Sequence, residues 1–266
     1  GEASAGYRGA ALSVPLGRGA DRSLAIVGDA FLRGGWERRT GTLADAPDIQ
    51  SSSWWVGHEA LLLGALGTRS RVGGTTRSPA AEREPGRVVA LFSPKGGVGR
   101  TTIAVNMAVA AAAEPGRSIA LVDGSFQFGD VGVLLNLNPK NKSIADLIPE
   151  LEAGEPESLD TFLINHSSGI RVLLAPPSPE MAELITPPGT KRMLEALRAT
   201  HDLVVVDCMS SFNDTTLAIL DLADTVLTML SLEITSIKNI RLFLEVAEQL
   251  GYGSDKVRLV LNRADS

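Results

Sequence analysis

From residue 87 onward the sequence predicts an α/β fold: a doubly wound, mostly parallel sheet with helices on both faces, preceded by a smaller region of different character. Three observations carry this. Short apolar runs alternate with helical stretches. The first of these runs, VVALFS, passes through a glycine-rich turn straight into a helix start. Two others end on a carboxylate, Asp123 and Asp207, at the strand ends where such a sheet gathers its ligand.

The elements follow in order. Residues 1–68 are rich in glycine, alanine and arginine and lack clear periodicity. Within them residues 23–48 read as a strand followed by a helix and resemble the opening of a response-regulator receiver domain, with Asp29 among its acidic residues. No later strand supplies a phosphoacceptor aspartate, so a receiver here is degenerate. Trp54 and Trp55 read as buried against a neighbouring element. Residues 69–86 have linker composition and end at Pro85 and Gly86, which leaves residues 87–266 as the main domain. There the strands are expected at 87–93, 118–123, 170–175, 203–207, 225–230 and 257–262. Helices are expected at 102–113, 143–151, 189–200, 215–223 and 235–250. In the last helix Ile237, Ile240, Leu244 and Ala247 share one face and read as core-facing. His166 and His201 lack neighbouring metal-type ligands in sequence and read as surface residues.

Composition narrows the function classes. The 266 residues carry a net charge of -6, and the only cysteine is Cys208. One cysteine excludes an internal disulfide, fits a reducing cytoplasm and is best read as a small buried residue at a strand end. Residues 87–266 hold 15 basic and 22 acidic side chains, which argues against DNA as a partner because DNA binding rests on phosphate neutralisation. No apolar run approaches the roughly eighteen residues that span a bilayer. The chain starts at Gly1 without a basic-then-apolar leader and reads as a trimmed or partial chain with no recognisable export signal.

The chemistry is concentrated in FSPKGGVGRTT. Gly96, Gly97 and Gly99 leave room for backbone N–H groups to turn around phosphate oxygens. The helix that follows presents its positive end to the same anion. Val98, Arg100, Thr101 and Thr102 complete the expected nucleotide cradle, with the Thr101 hydroxyl placed to meet Mg2+. The pattern G-x-x-x-x-G-K-[ST] is broken twice, by Pro94 and by Arg100. Asp207 closes the run LVVVD as a second oxygen donor for a hard cation, and Asp123 closes IALVD in the same manner.

These residues resemble the deviant Walker A loop, x-K-G-G-x-x-[KR]-[ST], of the ParA/MinD superfamily of P-loop ATPases. The resemblance implies ATP and Mg2+ as cofactors. It also implies that Lys95 is the signature lysine that reaches a partner's phosphates across a nucleotide-sandwiched homodimer. Asp123 is similar to the first aspartate of the family's D-x-D switch, and Ser125 stands where the second aspartate would position the attacking water. A neutral serine orients water but cannot take its proton, and a guanidinium at position 100 is a broad fork at a crowded place. Nucleotide binding with slow or absent hydrolysis is therefore expected. Asn262 and Arg263 match the strand end from which the family contacts adenine; an ordinary polar turn explains them equally well.

Within that superfamily the chain resembles the CpaE/TadZ group, which localises Flp/Tad pilus assembly machinery. Four segments carry this likeness: FSPKGGVGRTTIAVNMA, LVDGSFQFGDVGVLLNLNP, VLLAPPSPEMAELIT, and the stretch from DLVVVDCMSS to AEQLGY. The resemblance implies pilus assembly or secretion components as partners, a receptor at the cell pole or inner membrane face, a receiver-like first region and a C-terminally incomplete ATPase domain. The alternative is a MinD/ParA-type positioning ATPase acting on another cargo, which shares the loop. A DNA-partition ATPase predicts a basic face. An iron-sulfur carrier needs cysteine pairs, and a tyrosine kinase of this fold a tyrosine-rich tail. A nucleotide-gated scaffold that does not hydrolyse remains a distinct alternative.

Overall fold

The structure is a computed structural model that describes residues 24–27, 84–138, 141–154 and 158–262. Asp29, Trp54, Trp55, most of the 69–86 stretch and Arg263 lie outside the described residues. Eight strands form one sheet among the described residues: β1 (Leu24–Val27), β2 (Arg87–Phe92), β3 (Ile119–Gly124), β4 (Ile164–Asn165), β5 (Arg171–Leu173), β6 (Leu203–Cys208), β7 (Thr225–Leu230) and β8 (Val257–Asn262). Their order is β1-β8-β7-β2-β6-β3-β5-β4. Every pairing is parallel except the terminal β4–β5 pair.

The helices are α1 (Arg100–Ala112), α2 (Val131–Leu134), α3 (Ile144–Ala153), α4 (Pro187–Thr200), α5 (Asp214–Leu222) and α6 (Ile234–Gln249). Alternate residues of each central strand feed two separate cores, which is why both faces of β2 are apolar. Val88, Ala90 and Phe92 pack with α3 through α6, whereas Val89 and Leu91 pack with Ile103, Ala104, Met107 and Ala108 of α1. The expected α/β sandwich is therefore present, with element ends displaced by a residue or two.

Several differences have plain causes. Helix α4 starts on Pro187 and Pro188, ahead of the expected Gly189, because the first turn of a helix needs no N–H donors. Thr186 caps it by accepting from the Gly189 N–H at 3.0 Å. Strand β4 is too short to leave a periodic signal, and β1, inside the segment read as strand then helix, joins the sheet edge beside β8. His201 is a correction: it is buried, with its Nδ1 beside the Leu197 carbonyl at 3.1 Å. The turn between α4 and β6 packs so tightly that a Cβ on Gly86 would lie 1.8 Å from the His201 carbonyl oxygen. Ile237 is the second correction, for it is exposed while Ile240 and Ala247 are buried and Leu244 packs partly buried against the core; Ser236 and Phe243 are buried on α6 as well. Cys208 is buried at the end of β6, and burial pushes its thiol pKa up. No helix among the described residues is long and apolar enough to cross a membrane.

Candidate functional site

The site is built at the carboxyl ends of β2, β3, β6, β7 and β8. Leaving β2, the chain turns through Lys95 to Gly99 and enters α1 at Arg100. Gly97 has φ +78 and Gly99 φ +83, a left-handed region that costs other residues about 1–2 kcal/mol. The first turn of α1 contains no acidic side chain, so its positive end is not neutralised locally. The loop is braced from β8, where Asn262 Nδ2 donates to the Val98 carbonyl at 2.8 Å. A Cβ on Gly99 would lie 2.4 Å from that same Nδ2 atom. Asn262, read from sequence as an adenine contact or a plain turn, is placed here as a brace of the phosphate loop.

Two expected metal-site residues meet by sheet register. Asp123 and Asp207 stand opposite one another on β3 and β6, and both are buried. Burial, with added repulsion from Asp207, raises the Asp123 pKa from 3.8 to about 7. Asp123 accepts from the Ser125 N–H at 3.2 Å and the Val131 N–H at 3.1 Å. Burial also raises the Asp207 pKa, against the pull of the Arg100 guanidinium and help from the Thr101 hydroxyl. Asp207 Oδ1 accepts from Arg100 Nε at 2.9 Å, while its Oδ2 is buried without a hydrogen-bond partner of good geometry.

Those features fit Mg2+ of the phosphate-borne kind. An orphaned buried carboxylate oxygen, the neighbouring Thr101 hydroxyl and a second carboxylate held partly protonated all gain from a divalent cation. Among the described residues no group of three His, Cys, Asp or Glu forms a metal cage, so the phosphates of a bound nucleotide and water would supply the remaining oxygens. Thr101, Asp207 and Asp123 are the residues that would hold the ion, directly or through water. When bound, it would neutralise phosphate charge.

The loop after β3 folds back onto Asp123. A Cβ on Gly129 would lie 2.3 Å from Asp123 Oδ2 and 2.5 Å from the Ala175 side chain, so QFGD and LLAPP meet at a glycine with no room for another residue. Asp130 is carried beside the pair, and its charge adds to the upward pressure on both carboxyls. Ser125 donates its backbone N–H to Asp123, and no acid replaces it at its own position.

Three partners were not foreseen. Lys95 Nζ bonds Glu233 and the Thr235 hydroxyl, the latter at 3.1 Å, in the turn that opens α6. Arg100 Nη1 donates to Ser210 at 2.9 Å. Contacts of this kind join residues more than a hundred positions apart, and no local pattern marks them. Asp207 with its strand was the one signal that pointed to the region of Ser210.

Comparison with known proteins agrees with this geometry. A sequence model of the AAA domain family matches residues 86–256. The antiactivator FleN of Pseudomonas aeruginosa is 29% identical over 185 residues, which cover 68% of this chain and 63% of FleN. The septum site-determining protein MinD of Thermotoga maritima is 25% identical over 179 residues, 67% of this chain and 64% of that protein. The chain thus spans slightly less than two thirds of the curated relatives it matches. A crystal structure of a ParA family ATPase from Chlorobium tepidum TLS superposes with a TM-score of 0.64 at 25% identity, covering 68% of this chain and 75% of that one. Cobyrinic acid a,c-diamide synthase from Mycobacterium smegmatis, solved with bound ADP and magnesium, gives a TM-score of 0.52 at 26% identity, covering 66% and 73%.

Proposed function

The chain belongs to the AAA domain family, within which it is an ATPase of the ParA/MinD superfamily, and on that premise we propose that it positions a cargo by nucleotide-dependent self-association. The observation that carries this reading is the convergence of Thr101, Asp123 and Asp207 behind the phosphate loop, with one Asp207 oxygen buried and unbonded. ATP and Mg2+ bind there. Lys95 exchanges Glu233 for a partner's phosphate, which makes nucleotide binding and dimer closure one event. Hydrolysis is slow because Ser125 cannot accept a proton from water.

A second, narrower reading is a CpaE/TadZ-like localisation factor for pilus assembly or secretion components, recruited to the pole or inner membrane face. It is favoured by the contact between Gly129 of QFGD and Ala175 of LLAPP, the two segments that carry that likeness. The 1–68 region would then be a degenerate receiver ahead of an ATPase domain at 87–266.

The test is a calorimetric titration with ATP and Mg2+ beside a phosphate-release assay on the same preparation, with ADP and Asp207→Ala as controls. Binding with slow release supports a switching ATPase, and binding with none supports a nucleotide-gated scaffold. A chain that binds neither nucleotide overturns the proposal.

A further inference from the structure

Strand β8 is built like the interior of a sheet. Val257, Leu259, Val260 and Leu261 are all buried, and they feed apolar clusters on both faces of the sheet. Arg258 is the one charged side chain in the strand, whereas a strand at a sheet edge is ordinarily blunted by charge, proline or shortness. Such a strand calls for a neighbour on each side. On one side β7 pairs with it from Val226–Val257 to Leu230–Leu261. On the other side β1 pairs with it from Leu24–Leu259 to Val27–Asn262.

The two registers are offset, and the offset decides what β1 holds. The match to β7 ends at Leu261, whereas the match to β1 runs one residue further, to Asn262. That residue is the brace of the phosphate loop, with its Nδ2 donating to the Val98 carbonyl at 2.8 Å. The brace has little slack, because a Cβ on Gly99 would lie 2.4 Å from the same nitrogen. Strand pairing fixes a neighbouring backbone at about 4.8 Å through its ladder of hydrogen bonds. Val27 is thereby two steps from the turn that receives phosphate: backbone pairing reaches Asn262, and the Asn262 side chain reaches Val98.

We propose that residues 24–27 are a strand latch: seated on the edge of β8 they fix Asn262, and with it the phosphate loop, so that drawing this segment off the edge loosens the nucleotide site. The edge of β8 is the docking surface, and its occupant is β1 of the same chain. The consequence for nucleotide rests on the nucleotide-binding reading above, whereas the seat of the latch and its grip on the loop are read without ligand. A segment ahead of the main domain thus becomes an input to nucleotide affinity.

Hydrogen exchange read by mass spectrometry on the full chain tests the latch without nucleotide. In a parallel pair alternate residues of a strand bond a given neighbour, so of Ala25 and Ile26 one turns its N–H to β8 and the other turns it away. Proline removes that donor. One of Ala25→Pro and Ile26→Pro should therefore speed exchange of the 257–262 and 98–103 amides by about fivefold or more, while the other leaves both as in the wild type and β2, β3 and β6 change in neither. Calorimetric titration with Mg-ADP then reads the consequence: the acting variant should bind about fivefold more weakly, as loss of one hydrogen bond would make it, and should weaken binding no further in an Asn262→Ala background. Unchanged exchange with both prolines overturns the latch, as does an equal change with both, which marks a general disturbance of the segment. Faster exchange in β8 beside an undisturbed 98–103 segment overturns the route through Asn262, as does an equal further loss of affinity in the Asn262→Ala background. A wild type that binds no nucleotide sinks the nucleotide reading alone, because the exchange result stands without it.

Discussion

The brace between Asn262 and the phosphate loop makes a quantitative prediction. Gly99→Ala places a Cβ at φ +83, at a cost of about 1–2 kcal/mol for an L residue in the left-handed region. The same Cβ would sit 2.4 Å from Asn262 Nδ2, so that amide must move away and release the Val98 carbonyl it holds at 2.8 Å. A hydrogen bond of this kind contributes about 1 kcal/mol. Gly99→Ala should therefore destabilise by about 2–3 kcal/mol and Asn262→Ala by about 1 kcal/mol. In the double variant the bond is lost only once and the clash is gone, so it should be no less stable than Gly99→Ala alone. Urea denaturation of the four proteins measures the coupling, expected at about 1 kcal/mol. Energies that simply add, within about 0.3 kcal/mol, would refute the brace.

Other consequences follow from the charges. Glu233 competes with phosphate for Lys95, and a half-exposed pair of this kind is worth about 0.2–1 kcal/mol. Glu233→Gln should accordingly tighten ATP-dependent self-association by up to about fivefold in sedimentation velocity; weaker association would show that Glu233 assists closure. Asp123 binds its proton more tightly folded than unfolded, since its pKa rises from 3.8 to about 7. Folding then takes up a proton between those values, and the contribution of this group to stability falls as pH rises from about 4 to 7. Asp123→Asn should remove that slope in denaturation midpoints at pH 5, 6, 7 and 8; an unchanged slope would place its origin elsewhere. Ser125→Asp should raise phosphate release, and an unchanged rate would clear this position of responsibility for slow turnover.

Much of the fold was legible because the central strands are buried on both faces and read as unbroken apolar runs. The expected 225–230 and 257–262 strands match β7 and β8 end to end. Helix starts were less legible. Proline normally argues against helix, yet Pro187 and Pro188 open α4 because their missing N–H groups are not needed there. His201 and Ile237 were misjudged for a related reason: polarity and helical spacing forecast average burial, whereas the packing of one turn and the angle of one helix decide the individual side chain.

By itself the sequence determined the strand, glycine loop and helix start, and the two strand-end carboxylates, because a phosphate cradle is made mainly of consecutive backbone groups and hydrophobic burial is periodic. Tertiary structure alone decided who holds whom: Asp123 opposite Asp207 across β3 and β6, Lys95 on Glu233, Arg100 spanning to Ser210, and Asn262 under Val98. These partners come from separate strands, and strand order, which brings their carboxyl ends together, is set by the packing of the whole sheet and leaves no mark in any local stretch of chain.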